Sequence, residues 1–269
     1  MLQTKIDMKT ICIIGMGNMG SAMFDILKLN EEFKLIGCDQ EHDINVEGAA
    51  ADIFILAVKP QSFIDLAATI KIDLKEKLVI SIMAGISIEK IQSALGCKKV
   101  VRTLPSLPLK VGKSLTIWKA DTAVSEEEKS MAKNILISFG EAIEVSDEGK
   151  IDLIGSISGC GPAYFAYLGE KMADFCVKNG FSQVDADKIA RQTLVGTGEL
   201  INHSGWGLKE LRERVSSKGG ITEAAINTLE ENNFGAVFLD ANAFGYLLLA
   251  PIFLEELKLE ENKPAKIFC

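Results

Sequence analysis

Apolar residues fall into two successive patterns along this chain. In the first half, short runs rich in apolar residues at 10–14, 33–38, 53–58, 78–83 and 99–104, that at 53–58 fully apolar, alternate with segments of helical period. Runs of that length predict strands buried on both faces, as in a parallel sheet. Met19, Met23, Ile26 and Leu27 mark the first helix, and Pro60 opens another that reaches residue 70. Ser87 caps a helix running to Leu95, which Gly96 ends. A strand at 113–119, a helix begun by the capping-box pattern Ser125-Glu126-Glu127-Glu128, and a short strand at 142–145 follow. This alternation predicts an α/β fold with a doubly wound parallel sheet. The pattern changes near Asp147-Glu148-Gly149-Lys150. Beyond it no strand is needed, and helices are predicted at 162–179, 184–202, 208–216, 222–231 and 234–259. Their apolar positions crowd more than one face, as in helices buried between subunits. We therefore expect a sheet domain over 1–149, an all-α domain over 150–269, and a frayed polar tail from 260.

Composition narrows the classes. The 269 residues suit one large or two ordinary domains, and 48% hydrophobic with 25% charged residues fits a soluble globular chain. A net charge of -8 without a basic stripe argues against nucleic acid as a partner. The six cysteines show no C-x-x-C and no metal-ligand spacing, and most sit in apolar runs, so no metal is expected. Residues 1–9 lack the apolar core of a signal peptide, and no apolar stretch is long enough to span a bilayer. A reduced, cytoplasmic setting without membrane attachment is the expectation.

Candidate chemistry centres on Gly15-Met16-Gly17-Asn18-Met19-Gly20, a G-x-G-x-x-G directly after the first strand and opening the first helix. Gly15 permits the tight turn, Gly17 lets backbone approach a pyrophosphate, and Gly20 lets helix and strand pack closely. The helix N-terminus then offers free N–H groups to phosphate. Asp39 ends the second strand, 19 residues beyond Gly20, where an acidic side chain hydrogen-bonds a ribose 2′-OH and favours NAD. Ala57-Val58-Lys59-Pro60-Gln61 follows the third strand and belongs at the same sheet edge. Ala84-Gly85 closes the fourth. Ser158-Gly159-Cys160-Gly161-Pro162-Ala163-Tyr164 places glycines before a proline-started helix, for ligand contact or for packing. Ser216-Ser217-Lys218-Gly219-Gly220-Ile221-Thr222 opens a later helix and makes an anion nest, with Thr222 alternatively an N-cap and Glu223 favouring the dipole. His42 and His203, the two histidines, sit in no motif and are read as surface or structural groups.

The order of these motifs, with Val101-Arg102-Thr103-Leu104-Pro105 between them, resembles the Δ1-pyrroline-5-carboxylate reductase family over nearly the whole chain. The resemblance implies an NADH- or NADPH-dependent oxidoreductase that reduces a small cyclic imine to L-proline. It implies a dinucleotide-binding Rossmann domain, a doubly wound parallel sheet, over 1–149, an all-α dimerisation and substrate-binding domain over 150–269, and a homodimer, or a larger ring of dimers, with the site built between subunits. Gly15 to Gly20, Asp39, Ala57, Val58, Lys59, Pro60, Ala84, Gly85 and Ser106 would hold the cofactor; Asp39 leans to NADH, although the family commonly uses NADPH. Ser217, Gly219, Gly220, Ile221 and Thr222 would cradle the substrate carboxylate, with Thr222 also bonding the ring nitrogen as the catalytic group.

Some positions depart from the family pattern. Ser106 replaces an asparagine near the nicotinamide, Cys160 a serine and Lys218 a proline. Only residues 40–56 separate Asp39 from Ala57, room for one short element where the family has a helix and a strand. These departures leave open a paralogue acting on another imine, such as a six-membered piperideine carboxylate, or a non-catalytic dinucleotide-binding protein.

Overall fold

The computed structural model describes residues 8–249, which divide into two compact units: 8–159 with 245–249, and Cys160–Phe244. In the first unit the elements run β1 (Lys9–Ile14), α1 (Asn18–Leu27), β2 (Phe33–Cys38), α2 (Ile44–Glu47), β3 (Ile53–Leu56), α3 (Phe63–Thr69), β4 (Leu78–Ser81) and α4 (Ile88–Leu95). Then come β5 (Lys99–Leu104), β6 (Ser114–Ala120), α5 (Glu126–Ile137), β7 (Gly140–Glu144) and α6 (Gly149–Ser158). The strands form one sheet in the order β2-β1-β3-β4-β5-β6-β7. Both faces are covered. Along β1, Ile11 and Ile13 enter one core with Met23, Leu27, Trp118 and Phe139, while Cys12 and Ile14 enter the other with Phe54, Phe63 and Ile91. Two-sided burial is why a central strand such as β3 is an unbroken apolar run, while the edge strand β2 exposes Lys34.

Caps and turns fall where the sequence predicts them. Ser87 accepts the Lys90 N–H, and Gly96 ends α4 in the left-handed conformation. Ser125 and Glu128 exchange the two hydrogen bonds of a capping box. The pairing of β6 differs from the expected parallel arrangement. It runs antiparallel to β5, because the 105–113 connection holds only a 3-10 turn (Leu107–Val111), too short for the crossover that parallel neighbours need. Between β2 and β3 there is one four-residue helix and a 3-10 turn (Gly48–Ala50), after which β3 pairs with the other side of β1. β2 is therefore a sheet edge.

Residues 149–158, not foreseen as a separate element, form α6, which packs on β5 and β6. Gly155 sits so close to Leu104 that a Cβ there would overlap the leucine side chain. An ion network fastens the helix. Buried Arg102 of β5 reaches Glu148 Oε1 at 3.1 Å and Asp152 Oδ1 at 2.5 Å, and Glu148 also accepts the Ile88 N–H at 2.9 Å. One guanidinium thus ties β5 to the N-termini of α4 and α6.

The second unit is helical: α7 (Gly161–Lys178), α8 (Gln183–Ser204), α9 (Leu208–Val215), α10 (Ile221–Glu231) and α11 (Phe234–Leu249). The final helix, expected to reach 259, and the polar tail extend outside the described residues. α7 and α8 pack through Ala173, Ala186 and Ala190, with Gly169 against Leu194. Phe165, Tyr167, Phe175, Val184, Val237 and Leu239 remain exposed in this chain. No helix among the described residues is long and apolar enough to cross a membrane.

Candidate functional site

Because β1 to β5 are mutually parallel, their carboxyl ends meet at one edge of the sheet. The chain leaves β1 for β2 on one side and then returns to β3 on the other. That makes the β1/β3 boundary a topological switch point, where open α/β sheets form their ligand crevice. Gly15 to Gly17, Asp39, Ala57 to Pro60, Ala84-Gly85 and Ser106 all follow strands ending at this edge.

The three glycines of the first loop have separable causes. Gly15 has φ +99, and a Cβ there would lie 2.8 Å from the Ala57 carbonyl. Gly20 faces the Gly15 carbonyl so closely that a Cβ would overlap its oxygen. Both glycines serve packing of the loop against α1 and the β3 end. A Cβ on Gly17 meets nothing within 4 Å, so packing gives no reason for glycine there. Close approach of a ligand does.

Gly17 is also the N-cap of α1 and makes no side-chain cap, which leaves the first-turn N–H groups without that partner. The adjoining cleft, about 600 Å³, is lined by Met16, Gly17, Asn18, Ser21 and Lys110. An open glycine before an uncapped helix start fits the pyrophosphate of a dinucleotide. Gly17→Ala should therefore change stability by no more than about 1 kcal/mol, since Gly17 has φ -77 and loses only a favourable N-cap. Its dinucleotide affinity should fall about tenfold or more, because the new methyl stands where backbone must meet phosphate. Thermal melts and fluorescence titration with NADH check the two halves separately.

The other predicted residues lie as follows. The Gly15 N–H donates to the Cys38 carbonyl at 2.7 Å, which sets the loop beside Asp39, and Met16 lies over Gly37 of β2. Asp39 is exposed and its carboxylate accepts from Glu41 N–H at 2.9 Å and pairs with His42 Nδ1 at 2.6 Å. Those hydrogen bonds, that from His42 foremost, hold its carboxyl below the usual carboxylate range. Lys59 is exposed at the start of the Pro60–Ser62 turn. Gly85 takes a left-handed φ of +71 after β4. Ser106 is buried, and its hydroxyl lies 3.3 Å from Ser114 Oγ, in the interior of the sheet unit. Among the described residues no group of three His, Cys, Asp or Glu side chains is arranged for a metal ion.

In the second unit, Ser158 to Tyr164 spans the α6–α7 junction, with Pro162 in the first turn of α7. In the 216–223 stretch Ser217, Lys218, Gly219, Ile221 and Thr222 are exposed, while Ser216, Gly220 and Glu223 are half-buried. Gly219 has φ +70, the Gly220 N–H donates to the Ser217 carbonyl at 2.9 Å, and Gly220 is the N-cap of α10. Thr222 is thus the second residue of the helix rather than its cap, and its side chain is exposed. Glu223 does more than favour the dipole: its carboxylate accepts the Gly219 N–H at 2.6 Å.

Two groups escaped the reading of the sequence. Arg102 was noticed only as part of a motif; its partners lie 46 and 50 residues away, a spacing without a local signal. His42 stands three residues after Asp39, and that spacing at a strand end was the available cue.

A glycine loop at the switch point of a mostly parallel sheet, joined to a helical unit, defines a Rossmann dinucleotide-binding protein. Comparison with known proteins takes this further. Residues 148–243 match the model of the pyrroline-5-carboxylate reductase dimerisation family, and residues 10–85 match that of NADP oxidoreductase, coenzyme F420-dependent. The pyrroline-5-carboxylate reductase of Escherichia coli is 32% identical over 87% of this chain and 94% of its own length. That of Pseudomonas aeruginosa is 36% identical over 72% of each chain. The crystal structure of Plasmodium falciparum pyrroline carboxylate reductase with NADP bound superposes with a TM-score of 0.79 at 28% identity, covering 90% of this chain and 97% of that one. The chain belongs to the pyrroline-5-carboxylate reductase family.

Proposed function

We propose that this protein reduces Δ1-pyrroline-5-carboxylate to L-proline at the expense of NADH or NADPH. The observation that carries the proposal is the extent of the likeness. A relative bearing this activity in its name aligns over 87% of this chain and 94% of its own length, and the two family models match 10–85, with the glycine loop, and 148–243, with the 217–222 loop.

The bound nicotinamide supplies a hydride for the imine carbon. Everything else falls to the chain. Gly15, Met16, Gly17, Asn18, Met19 and Gly20 hold the pyrophosphate through backbone. Asp39 meets the adenosine ribose, and Ala57, Val58, Lys59, Pro60, Ala84 and Gly85 form the rest of the cofactor edge. Ser106 supports that edge from within, through its hydroxyl contact with Ser114. Ser217, Gly219, Gly220 and Ile221 cradle the substrate carboxylate, and the Thr222 hydroxyl keeps a hydrogen bond on the ring nitrogen as that atom changes from imine to amine. Correct placement of an electrophile already prone to protonation supplies much of the rate without a strong acid or base.

Residues 1–149 act as the dinucleotide domain, and 150–269 as the substrate and dimerisation domain. The match to a dimerisation model and the exposed aromatic residues of α7 support self-association as a homodimer. Among the described residues Cys12, Cys38 and Cys97 are buried free thiols, which supports a cytoplasmic setting.

The test is oxidation of NADH and of NADPH with pyrroline-5-carboxylate, followed as loss of the reduced nicotinamide's absorbance. Turnover with formation of proline is expected. Turnover only with the six-membered homologue would transfer the assignment to a paralogous imine reductase.

A further inference from the structure

β2 is the edge strand, and α2 is a single turn. Between Asp39 and Ala50 the chain has three further carboxylates (Glu41, Asp43 and Glu47), no lysine, no arginine and one histidine. That histidine is joined to the one residue placed to read the adenosine ribose: His42 Nδ1 lies 2.6 Å from Asp39 Oδ1. About two fifths of each side chain is exposed. With Nδ1 committed to Asp39, Nε2 remains the nitrogen available to a ligand.

We propose that His42, through its pairing with Asp39, is a specificity-determining residue that makes the choice between NADH and NADPH depend on pH. The inference rests on the dinucleotide reading given above. The two cofactors differ by one phosphate on the adenosine ribose, the group that an acidic residue at this position repels and a cationic neighbour accepts. When His42 is neutral, Asp39 keeps its full negative charge, accepts from the ribose hydroxyls and opposes the phosphate. When His42 is protonated, the charge of the pair cancels. Nε2–H then becomes a charge-assisted donor for a phosphate oxygen.

The groups facing His42 fix the direction. The hydrogen bond that His42 donates to Asp39 and that residue's charge come first; partial desolvation opposes them, and the charges of Glu47 on α2 and Glu41 in the loop add to them. The carboxylates together outweigh the desolvation, so His42 titrates above its ordinary 6.5. The cationic form is present below that raised value and is lost as pH rises through it. NADPH therefore gains on NADH toward acid pH, and the acidic surroundings leave NADH ahead in alkali. The phosphate itself takes up a proton near about pH 6, so the effect is read above that point.

The experiment measures dissociation constants for NADH and NADPH by fluorescence titration at fixed ionic strength, from pH 6.5 to 8.5, on the native protein, His42→Ala and Asp39→Asn. In the native protein the preference for NADPH should rise about five- to tenfold toward the acid end. His42→Ala should flatten that slope and leave NADH affinity within about twofold. Asp39→Asn should shift the whole preference toward NADPH and move the midpoint to lower pH. An unchanged slope in His42→Ala, with both cofactors still bound, overturns the inference alone. Failure of the native protein to bind either cofactor overturns the dinucleotide reading and the inference with it.

Discussion

Replacing Thr222 by alanine is expected to lower turnover about 100-fold or more while leaving NADH affinity and thermal stability nearly unchanged. Three features separate these outcomes. Thr222 is exposed on the first turn of α10, so its loss opens no cavity. The residue is not the cap of that helix, since Gly220 holds that place, and loss of the hydroxyl removes no capping bond. Its proposed partner is the ring nitrogen, whose hydrogen bonding changes as hydride arrives, so the interaction belongs to the transition state more than to binding. Steady-state kinetics with pyrroline-5-carboxylate, beside titration of NADH, will test the split. A loss of cofactor affinity equal to the loss of turnover would remove Thr222 from the substrate and return it to a structural part.

The second large effect concerns stability. Arg102→Ala should destabilise the sheet unit by about 3–5 kcal/mol, because it leaves Glu148 and Asp152 facing each other's charge around an emptied buried position. For a chain of this size that corresponds to a fall in thermal midpoint on the order of 10 °C. Arg102→Lys keeps the charge but not the planar fork that serves two carboxylates at once, and should recover part of the loss. Calorimetry of the three proteins checks the order. A midpoint for Arg102→Ala within a degree or two of the native protein would mean that the network contributes little.

Much of the sheet unit could be read from the sequence because its strands are buried on both faces. A run such as Ile53–Leu56 has no polar position to confuse the reading. Punctuation was equally plain: Ser87, Gly96 and Ser125 each mark an element end for a local reason. What could not be read depends on partners distant in sequence. β6 looks like any other apolar strand, and its reversal follows from the brevity of the 105–113 link. α6 was hidden because ten residues of mixed character acquire a face only against Leu104 and Arg102. Within the candidate site, the glycine loop was legible as a motif, whereas the contrast between Gly17 in open space and Gly15 and Gly20 in tight contact needed coordinates. The same holds for Ser106, whose inward hydroxyl no spacing announces.

The alanine contact between α7 and α8 has a consequence for what a single chain of this protein is. Three methyl-sized side chains, Ala173, Ala186 and Ala190, form the buried apolar cluster of the second unit among the described residues. Burial of a methyl group contributes about 1 kcal/mol, far less than the entropy of ordering five helices costs. With the self-association proposed above, the missing apolar burial comes from a second copy. The native state of this half then obeys mass action: it belongs to a population at a given concentration rather than to one isolated polypeptide.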